Sequence, residues 1–479
     1  MLYVGVFSVK TIHTKGTNLM ISAFIRFFYP DIKQDEIKKI SLLALAFLFT
    51  IGTYWLMRLL KDLVLYKLAF PTSLGWSHDT GRLWIPTVKT LSPLFVLFLV
   101  LLYGRLVDIF EKHKLMYVIA SFYMIVFSYM TVILFIKNSY GDEFIGRTML
   151  ATSGILGYLF TESFGSLMVA LFWSFTISST PSDQAKRAFP VITAAGQFGA
   201  IGGSALMLIH TKIIWPFYAI VVVCLAFFML TIRYLVKTIP AEQMRSDSRE
   251  TKKEHHAWSG FTLLATEPYL IGVLVVSTFY EIAGTIVEYQ MNSQASILFD
   301  DPTFKWFKGM YGVSINTLAF LIALLGTSYA IKKLGTKICL LIYPILFATF
   351  LLGLFSYYNY VSPSAMHLLW AIFIVMLVIK ALAYALNNPV KEMMYIPTSK
   401  DVKFKTKSII DMFGSRSAKM SGAQIGGWLN VPGNSILSIH NLIMYGTLIS
   451  LGCIGIWIVA ALFVGTQNAK LLEQNKIIE

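Results

Sequence analysis

Residues 41–62 read SLLALAFLFTIGTYWLMRLLKD, and they decide the class of fold. No charge occurs from residue 41 to residue 57, and about 20 consecutive apolar residues suffice to cross a bilayer as a helix. Lys61 and Asp62 then end the run, where a basic and an acidic group stand next to each other. The stretch predicts a membrane-spanning helix with ionisable groups close to one end.

The composition of the whole chain extends this prediction. Of 479 residues, 56% are hydrophobic and 14% are charged, and the mean hydropathy is +0.66. Soluble domains carry about 25% charged residues. These values exclude a soluble enzyme, a disordered protein and a nucleic-acid-binding domain, despite a net charge of +15. We expect the protein to lie in the lipid bilayer and to bind no nucleic acid.

Apolar runs of similar length recur along the chain. We predict an all-α polytopic membrane protein with about twelve transmembrane helices, because lipid cannot satisfy an open backbone. The predicted spans are 41–60, 84–104, 115–136, 149–178, 189–210, 214–236, 264–291, 308–330, 337–358, 365–390, 408–430 and 439–464.

The longest polar stretch between spans, residues 237–258, divides the chain into two six-helix halves. Glycine-rich runs occupy corresponding places in the halves, GQFGAIGG at 196–203 and GSRSAKMSGAQIGG at 414–427. We interpret them as close helix packing rather than a ligand cradle. The plan is that of a major-facilitator carrier, whose substrate site lies between the halves. The predicted parts are a cytosolic arm 1–40, the halves 41–236 and 264–465, a central cytosolic loop 237–263 and a cytosolic tail 466–479.

Lysine and arginine predict the orientation. They concentrate in the N-terminal arm and in alternate loops, which the positive-inside rule assigns to the cytoplasm. Both termini are therefore expected to be cytoplasmic. The N-terminal residues resemble neither a signal peptide nor a transit peptide, which favours a bacterial inner membrane over a plastid envelope. We expect a monomer.

Ionisable side chains within the predicted spans are the most informative residues, because they are costly in lipid and usually face a cavity. Glu162 lies in the middle of the fourth span, and Glu281 and Glu288 lie two helical turns apart on one face of the seventh. The others are Lys61, Asp62, Lys89, Lys380, Asp411, Arg416 and Lys419.

Several of these residues have an alternative interpretation. Lys61 and Lys89 could snorkel to the membrane interface, and Asp411 could pair with a neighbouring lysine. Lys380 could neutralise Glu162 or Glu288 instead of binding a ligand. A loop pair, Arg105 with Asp108, is interpreted as a gate rather than a binding site.

The intramembrane cations as a group predict a polyanionic substrate, because phosphate oxygens accept charge-assisted hydrogen bonds from lysine and arginine. Embedded carboxylates suit proton coupling or a ligand amine. No nucleotide-hydrolysing P-loop and no paired-cysteine or histidine metal motif occurs in the sequence. We expect a carrier of organic phosphates rather than an enzyme, with no cofactor and no metal.

Four motifs resemble the nucleotide transporters of plastids and obligate intracellular bacteria, the ATP/ADP translocase type of the major facilitator superfamily. They are PVKEMMYIP at 389–397 with IIDMFGSRSAKMSG at 409–422, ESFGSLMVALFWSF at 162–175 with AKRAFP at 185–190, RLLKD at 58–62 with IPTVK at 85–89, and the segment from Tyr280 to Glu288. They follow the order of the family and span nearly the whole chain. The resemblance implies transport of ATP, ADP or related nucleotides by alternating access.

The resemblance also implies the site. The important charges of the family fall on Lys61, Glu162, Glu288 and a lysine preceding the eleventh span, for which we choose Lys407 over Lys405. The candidate substrate-binding residues are Lys61, Lys89, Glu162, Glu288, Lys380, Lys407, Arg416 and Lys419. The candidate coupling or gating residues are Glu162, Glu281, Glu288, Asp411, Arg105 and Asp108.

The sequence leaves three questions open. The chain departs from the family at expected pocket positions: Leu59 replaces an aspartate, Thr285 an asparagine, Glu281 a glycine, and residues 290–292 lack the usual T-W-K. Base specificity is therefore open, as is the choice between exchange and proton-driven import. The alternative functions are a carrier for another organic anion and a membrane scaffold of the same fold that transports nothing.

Overall fold

The computed structural model describes residues 35–240, 244, 263–324, 328–399, 402 and 406–474. This part of the chain is almost entirely helical and contains no β-strand. We label the twelve principal helices in chain order. They are α1 Ile37–Leu63, α2 Thr80–Ile109, α3 Lys112–Tyr140, α4 Arg147–Ser178, α5 Ser182–Ala205, α6 Trp215–Thr238, α7 Pro268–Leu298, α8 Asp301–Ile322, α9 Ser328–Ser356, α10 Ala365–Leu382, α11 Ser415–Trp428 and α12 Ser435–Glu473. The backbone of α9 is not helical at Gly335, where the helix is kinked.

Ten of these helices are long and apolar enough to cross a membrane. The other two, α8 and α11, occupy the places of the eighth and eleventh predicted spans. Helix α11 has only 14 residues, and it follows a π-helical turn at Ile410–Gly414. It carries charges and small residues instead of an apolar surface, because it packs against α7 and α2 in the centre of the bundle.

The helices contact each other in the same pattern in both halves. Helix α1 packs against α4, α5 and α6, and α7 packs correspondingly against α10, α11 and α12. The contacts of α3 with α6 and of α2 with α4 are likewise repeated by α9 with α12 and α8 with α10. The halves meet through α2 with α11 and through α5 with α8. This is the two-half arrangement predicted from the sequence.

Glycine permits the closest helix contacts within each half. A Cβ added to Gly199 or Gly203 of α5 would overlap backbone atoms of α1 around Leu48 and Gly52. In the second half, a Cβ on Gly422 of α11 would lie 2.6 Å from the carbonyl oxygen of Ile282 in α7. The packing interpretation of both glycine-rich runs is therefore confirmed.

Helix α8 begins seven residues earlier than the predicted eighth span. Asp300 caps it, accepting a hydrogen bond from the backbone N–H of Thr303 at 3.1 Å. The hydrogen bonds from Thr303 hold the pKa of Asp300 below its usual range. Lys305 and Lys308 are consequently buried in the helix.

The segments predicted outside the bundle are mostly not described. Residues 1–34 of the predicted arm, and residues 241–243 and 245–262 of the predicted loop, lie outside the described residues. Helix α12 continues to Glu473, through most of the segment predicted as a tail. The boundaries of the domains stay a prediction.

Candidate substrate site

Most of the charged side chains within the membrane helices line a cavity between the two halves. Its first part, here called the ionic compartment, has a volume of about 70 Å³. Six cationic side chains and three carboxylates line it: Arg58, Lys61, Lys89, Lys380, Arg416 and Lys419 with Asp62, Glu162 and Glu288. Helices α1, α2, α4, α7, α10 and α11 supply these groups, so both halves contribute. Positive charge is in excess among the described residues of its walls.

Lys61 is the centre of a buried network in the first half. Its ammonium lies 3.0 Å from the Glu162 carboxylate and 3.2 Å from that of Asp62, and 3.7 Å from the centre of the Tyr158 ring. Lys308 of α8 contacts the other oxygen of Asp62 at 2.7 Å. Because Lys61 is buried within this network, it does not snorkel to the interface.

The acidic groups of the second half are also paired. Lys380 lies 3.3 Å from Glu288, so it is the counter-ion of that carboxylate and not of Glu162. Lys419 lies 3.6 Å from Glu281, which also accepts a hydrogen bond from the Tyr280 hydroxyl at 2.9 Å. Each pair joins two helices across the interior of the half.

Arg416 joins the halves at the ionic compartment. Its guanidinium lies 3.7 Å from the Glu162 carboxylate and donates a hydrogen bond to the hydroxyl of Ser166. The Glu162 side chain therefore lies between Lys61 of its own half and Arg416 of the other. A change in the relative position of the halves must alter this contact.

Two cations of the ionic compartment have no carboxylate partner among the described residues. Lys89 has neither an ion pair nor a hydrogen bond there, although it lines the cavity. Arg58 donates to the hydroxyl of Tyr384 at 2.9 Å and lies 4.8 Å from the Trp55 ring. These two groups are the most available for an anionic ligand.

A larger compartment of about 400 Å³ adjoins the ionic compartment and shares Tyr54, Arg58, Lys380 and Lys419 with it. We call it the aromatic compartment. Its remaining lining is Trp55, Gln197, Tyr280, Glu281, Asn316, Ala383, Tyr384 and Asn388.

Three of the described candidate residues, Lys407, Asp411 and Arg105, do not line the cavity in this conformation. Lys407 pairs with Glu392 at 2.5 Å, and Asp411 lies 3.6 Å from Lys391, as its alternative interpretation proposed. Arg105 is exposed. The side chain of Asp108, like the whole of Lys405, lies outside the described residues, so the gate pair stays a prediction.

The prediction of the site omitted Arg58 and Lys308. Arg58 precedes Lys61 and Asp62 by three and four residues, the spacing that places side chains on one helix face. That spacing could have identified it. Lys308 was missed because the predicted eighth span begins at Lys308 itself, whereas the helix begins at Asp301 and buries this lysine.

The bundle is closed on one face. We call the face on which α1 begins proximal and the face on which it ends distal. On the distal face Arg82 donates to Oδ1 of Asn430 at 3.0 Å, and the hydroxyl of Tyr289 donates to the Arg82 carbonyl oxygen at 3.0 Å. Lys67 donates to the carbonyl oxygens of Ser296 and Phe299. These bonds join the two halves distal to the cavity.

We expect Arg82→Ala to open the distal face. The substitution leaves the Asn430 amide oxygen without its donor from the other half, and losing one partner of a buried hydrogen bond costs the distally closed state about 1–3 kcal/mol. Ser73 and Ser435, one on each half, line a pocket at the distal face. Spin labels at these two positions, with the native cysteines replaced, should show a longer-distance population.

Arg147→Ala is the matched control, because that arginine stacks on Trp76 of its own half at 3.9 Å. Identical distance distributions in the Arg82 variant and the unsubstituted protein would contradict the assignment of Arg82 to distal closure.

A helical bundle in two repeated halves around a charged central cavity defines a multi-pass membrane protein of the major-facilitator fold. Solved structures share this fold. The POT family transporter PepTSo has a TM-score of 0.62 at 12% identity, covering 93% of this chain and 100% of that chain. The nucleoside transporter NupG has a TM-score of 0.60 at 14% identity, covering 89% of this chain and 99% of that chain.

Sequence comparison gives the family. Residues 147–467 match the TLC ATP/ADP transporter family, and the chain belongs to it. ADP,ATP carrier protein 2, chloroplastic, of Arabidopsis thaliana is 24% identical over 93% of this chain and 77% of its own length. ADP,ATP carrier protein 1 of Chlamydia pneumoniae is 24% identical over 91% of this chain and 92% of its own length. The resemblance stated from the motifs is confirmed.

Proposed function

We propose that this protein carries ATP, ADP or related nucleotides across a membrane, exchanging one for another by alternating access. The excess of cations in the ionic compartment carries the proposal, because a nucleotide brings several negative charges into a region that lipid surrounds. Lys89 and Arg58, which lack carboxylate partners among the described residues, would take the phosphates first. The relatives named as ADP,ATP carriers support the same substrate class.

The ion pairs of the cavity suggest how transport proceeds. The phosphates would compete with Glu162 for Lys61 and Arg416, and with Glu288 for Lys380. Because Arg416 and Glu162 belong to different halves, their separation on substrate binding would free the halves to rock about the site. Without a bound nucleotide, the contact between Arg416 and Glu162 would hold the halves together. The empty carrier would then return unfavourably, so that one nucleotide is exchanged for another. Proton-driven net import is the alternative mode of coupling.

We also propose a monomer in a bacterial inner membrane with both termini in the cytoplasm. The concentration of lysine and arginine in the arm and alternate loops supports this orientation. The proximal face would then be cytoplasmic, and the cavity would be closed from outside.

Uptake of labelled ATP by intact expressing cells tests the proposal. The competitors are unlabelled ADP, GTP, UTP, NAD and phosphate, with and without a protonophore. Uptake competed by ADP and indifferent to the protonophore is the expected result. Competition by phosphate alone would instead indicate a carrier of other anions, and the absence of any flux in proteoliposomes would indicate a scaffold.

A further inference from the structure

The two compartments of the cavity differ in charge. Arg58, Lys380 and Lys419 lie on the wall that the compartments share. Beyond that wall, the described lining of the aromatic compartment holds one further charged group, the carboxylate of Glu281. A phosphate chain is attracted to the shared wall and repelled beyond it. An elongated anion with one uncharged end is therefore oriented with that end in the aromatic compartment.

The rings of the aromatic compartment suit a flat heterocycle. Tyr54, Tyr280 and Tyr384 are each partly exposed in it. Tyr384 is held in place by the hydrogen bond from Arg58 and by an edge contact with Trp55, the ring centroids being 6.2 Å apart. Aromatic side chains held rigidly in this way stack on nucleobases of any kind.

The amide groups of the aromatic compartment are incompletely satisfied. Oε1 of Gln197 is buried and has no hydrogen-bond partner among the described residues. Asn316 uses its Nδ2 in a bond to the Gly312 carbonyl at 2.8 Å, and its Oδ1 accepts no bond from the described residues. A buried amide oxygen without a donor is costly, and the amino group of a base edge would supply one.

We propose that the aromatic compartment is the nucleobase subsite of the carrier. Tyr384 stacks on the base, Gln197 and Asn316 accept from the hydrogen-bond donors on its edge, and the shared wall holds the phosphates. This inference rests on the proposed function and adds to it the residues that set base preference. The volume of about 400 Å³ falls within the range of small-molecule sites, about 300–1,000 Å³.

Base preference is the readout that tests the subsite. ATP, GTP and UTP share ribose and triphosphate, so ratios of their inhibitory concentrations depend on the base alone. Gln197→Leu should change the ATP-to-UTP ratio by about fivefold, the lower end of the discrimination that side-chain contacts to a base edge provide. Tyr384→Leu should weaken all three nucleotides by roughly tenfold, whereas Tyr384→Phe, which keeps the ring, should weaken them less.

Two exposed residues provide matched controls. Asn359→Leu removes an amide and Tyr360→Leu removes a ring that is 88% exposed, both outside the cavity; neither should alter the ratio. A variant that binds nucleotides without transporting them gives no uptake. For such a variant, the shift of the thermal unfolding midpoint on addition of each nucleotide measures binding instead.

Two results would overturn the subsite. One is an ATP-to-UTP ratio within twofold of the unsubstituted protein in Gln197→Leu, and the other is equal weakening by Tyr384→Leu and Tyr384→Phe. If the unsubstituted protein takes up no nucleotide, it is the proposed function that fails.

Discussion

Replacing Glu162 by Gln, or Lys61 by Ala, is expected to reduce nucleotide uptake to background. Both groups line the ionic compartment and lie 3.0 Å apart. Glu162→Gln keeps the shape of the side chain but removes the charge that attracts both Lys61 and Arg416. Lys61→Ala removes the cation that we assign to the phosphates. Uptake of labelled ATP by expressing cells, normalised to the amount of carrier in the membrane, measures the effect.

Loss of uptake must be separated from loss of folding, because removing one partner of a buried ion pair costs about 3–5 kcal/mol. Thermal unfolding of the detergent-purified variants provides that separation.

Glu111 and Lys114 provide matched control variants. They form an exposed ion pair at 3.3 Å, which contributes about 0–1 kcal/mol to stability. Glu111→Gln and Lys114→Ala should transport normally. Normal uptake by Glu162→Gln and Lys61→Ala would remove both residues from the mechanism.

Intramembrane charge was a sound guide to the cavity, for a physical reason. A carboxylate such as Glu162, in the middle of an apolar helix, cannot reach water at either surface, so its helix must turn it towards other polar groups. The same reasoning applies to Lys380 and Glu288. It requires only the sequence of one helix at a time, which is why these residues were predicted to lie within the bundle.

The sequence did not predict which charged side chains pair with each other between helices. Lys61 pairs with Glu162 about a hundred positions away, and Lys308 reaches Asp62 across the boundary between the halves. Such contacts depend on how helices rotate and approach, which hydropathy does not encode. Lys407 illustrates the limit, because a family motif selects it although in this conformation it contacts Glu392.

Helix packing by glycine was predictable because small side chains at regular spacing have few other uses in a membrane helix. The sequence did not reveal which glycines matter. In GQFGAIGG, Gly202 and Gly203 are neighbours, yet Gly203 faces the backbone of α1 and Gly202 has open space around its Cα. One residue along a helix turns the side chain by about 100°, which accounts for the difference.

Gly203→Ala is therefore expected to destabilise the first half strongly. The added Cβ would overlap the carbonyl oxygen of Gly52, and backbone in a packed helix cannot move aside as a flexible side chain can. Overpacking in a filled interior costs about 1–3 kcal/mol, and α1 would be displaced from α5 along their closest contact. The measurement is the thermal midpoint of purified protein together with the yield of folded carrier.

Gly202→Ala is the matched control, one position along the same helix. Its Cβ would meet no atom within 4 Å, and alanine is favoured over glycine in a helix by about 1 kcal/mol. Its thermal midpoint should equal or exceed that of the unsubstituted protein. Equal stability of the two variants would mean that α1 and α5 do not approach as closely as described. Since the ionic compartment depends on Lys61 of α1, a loosened α1 should also lower uptake in Gly203→Ala beyond the loss of folded protein.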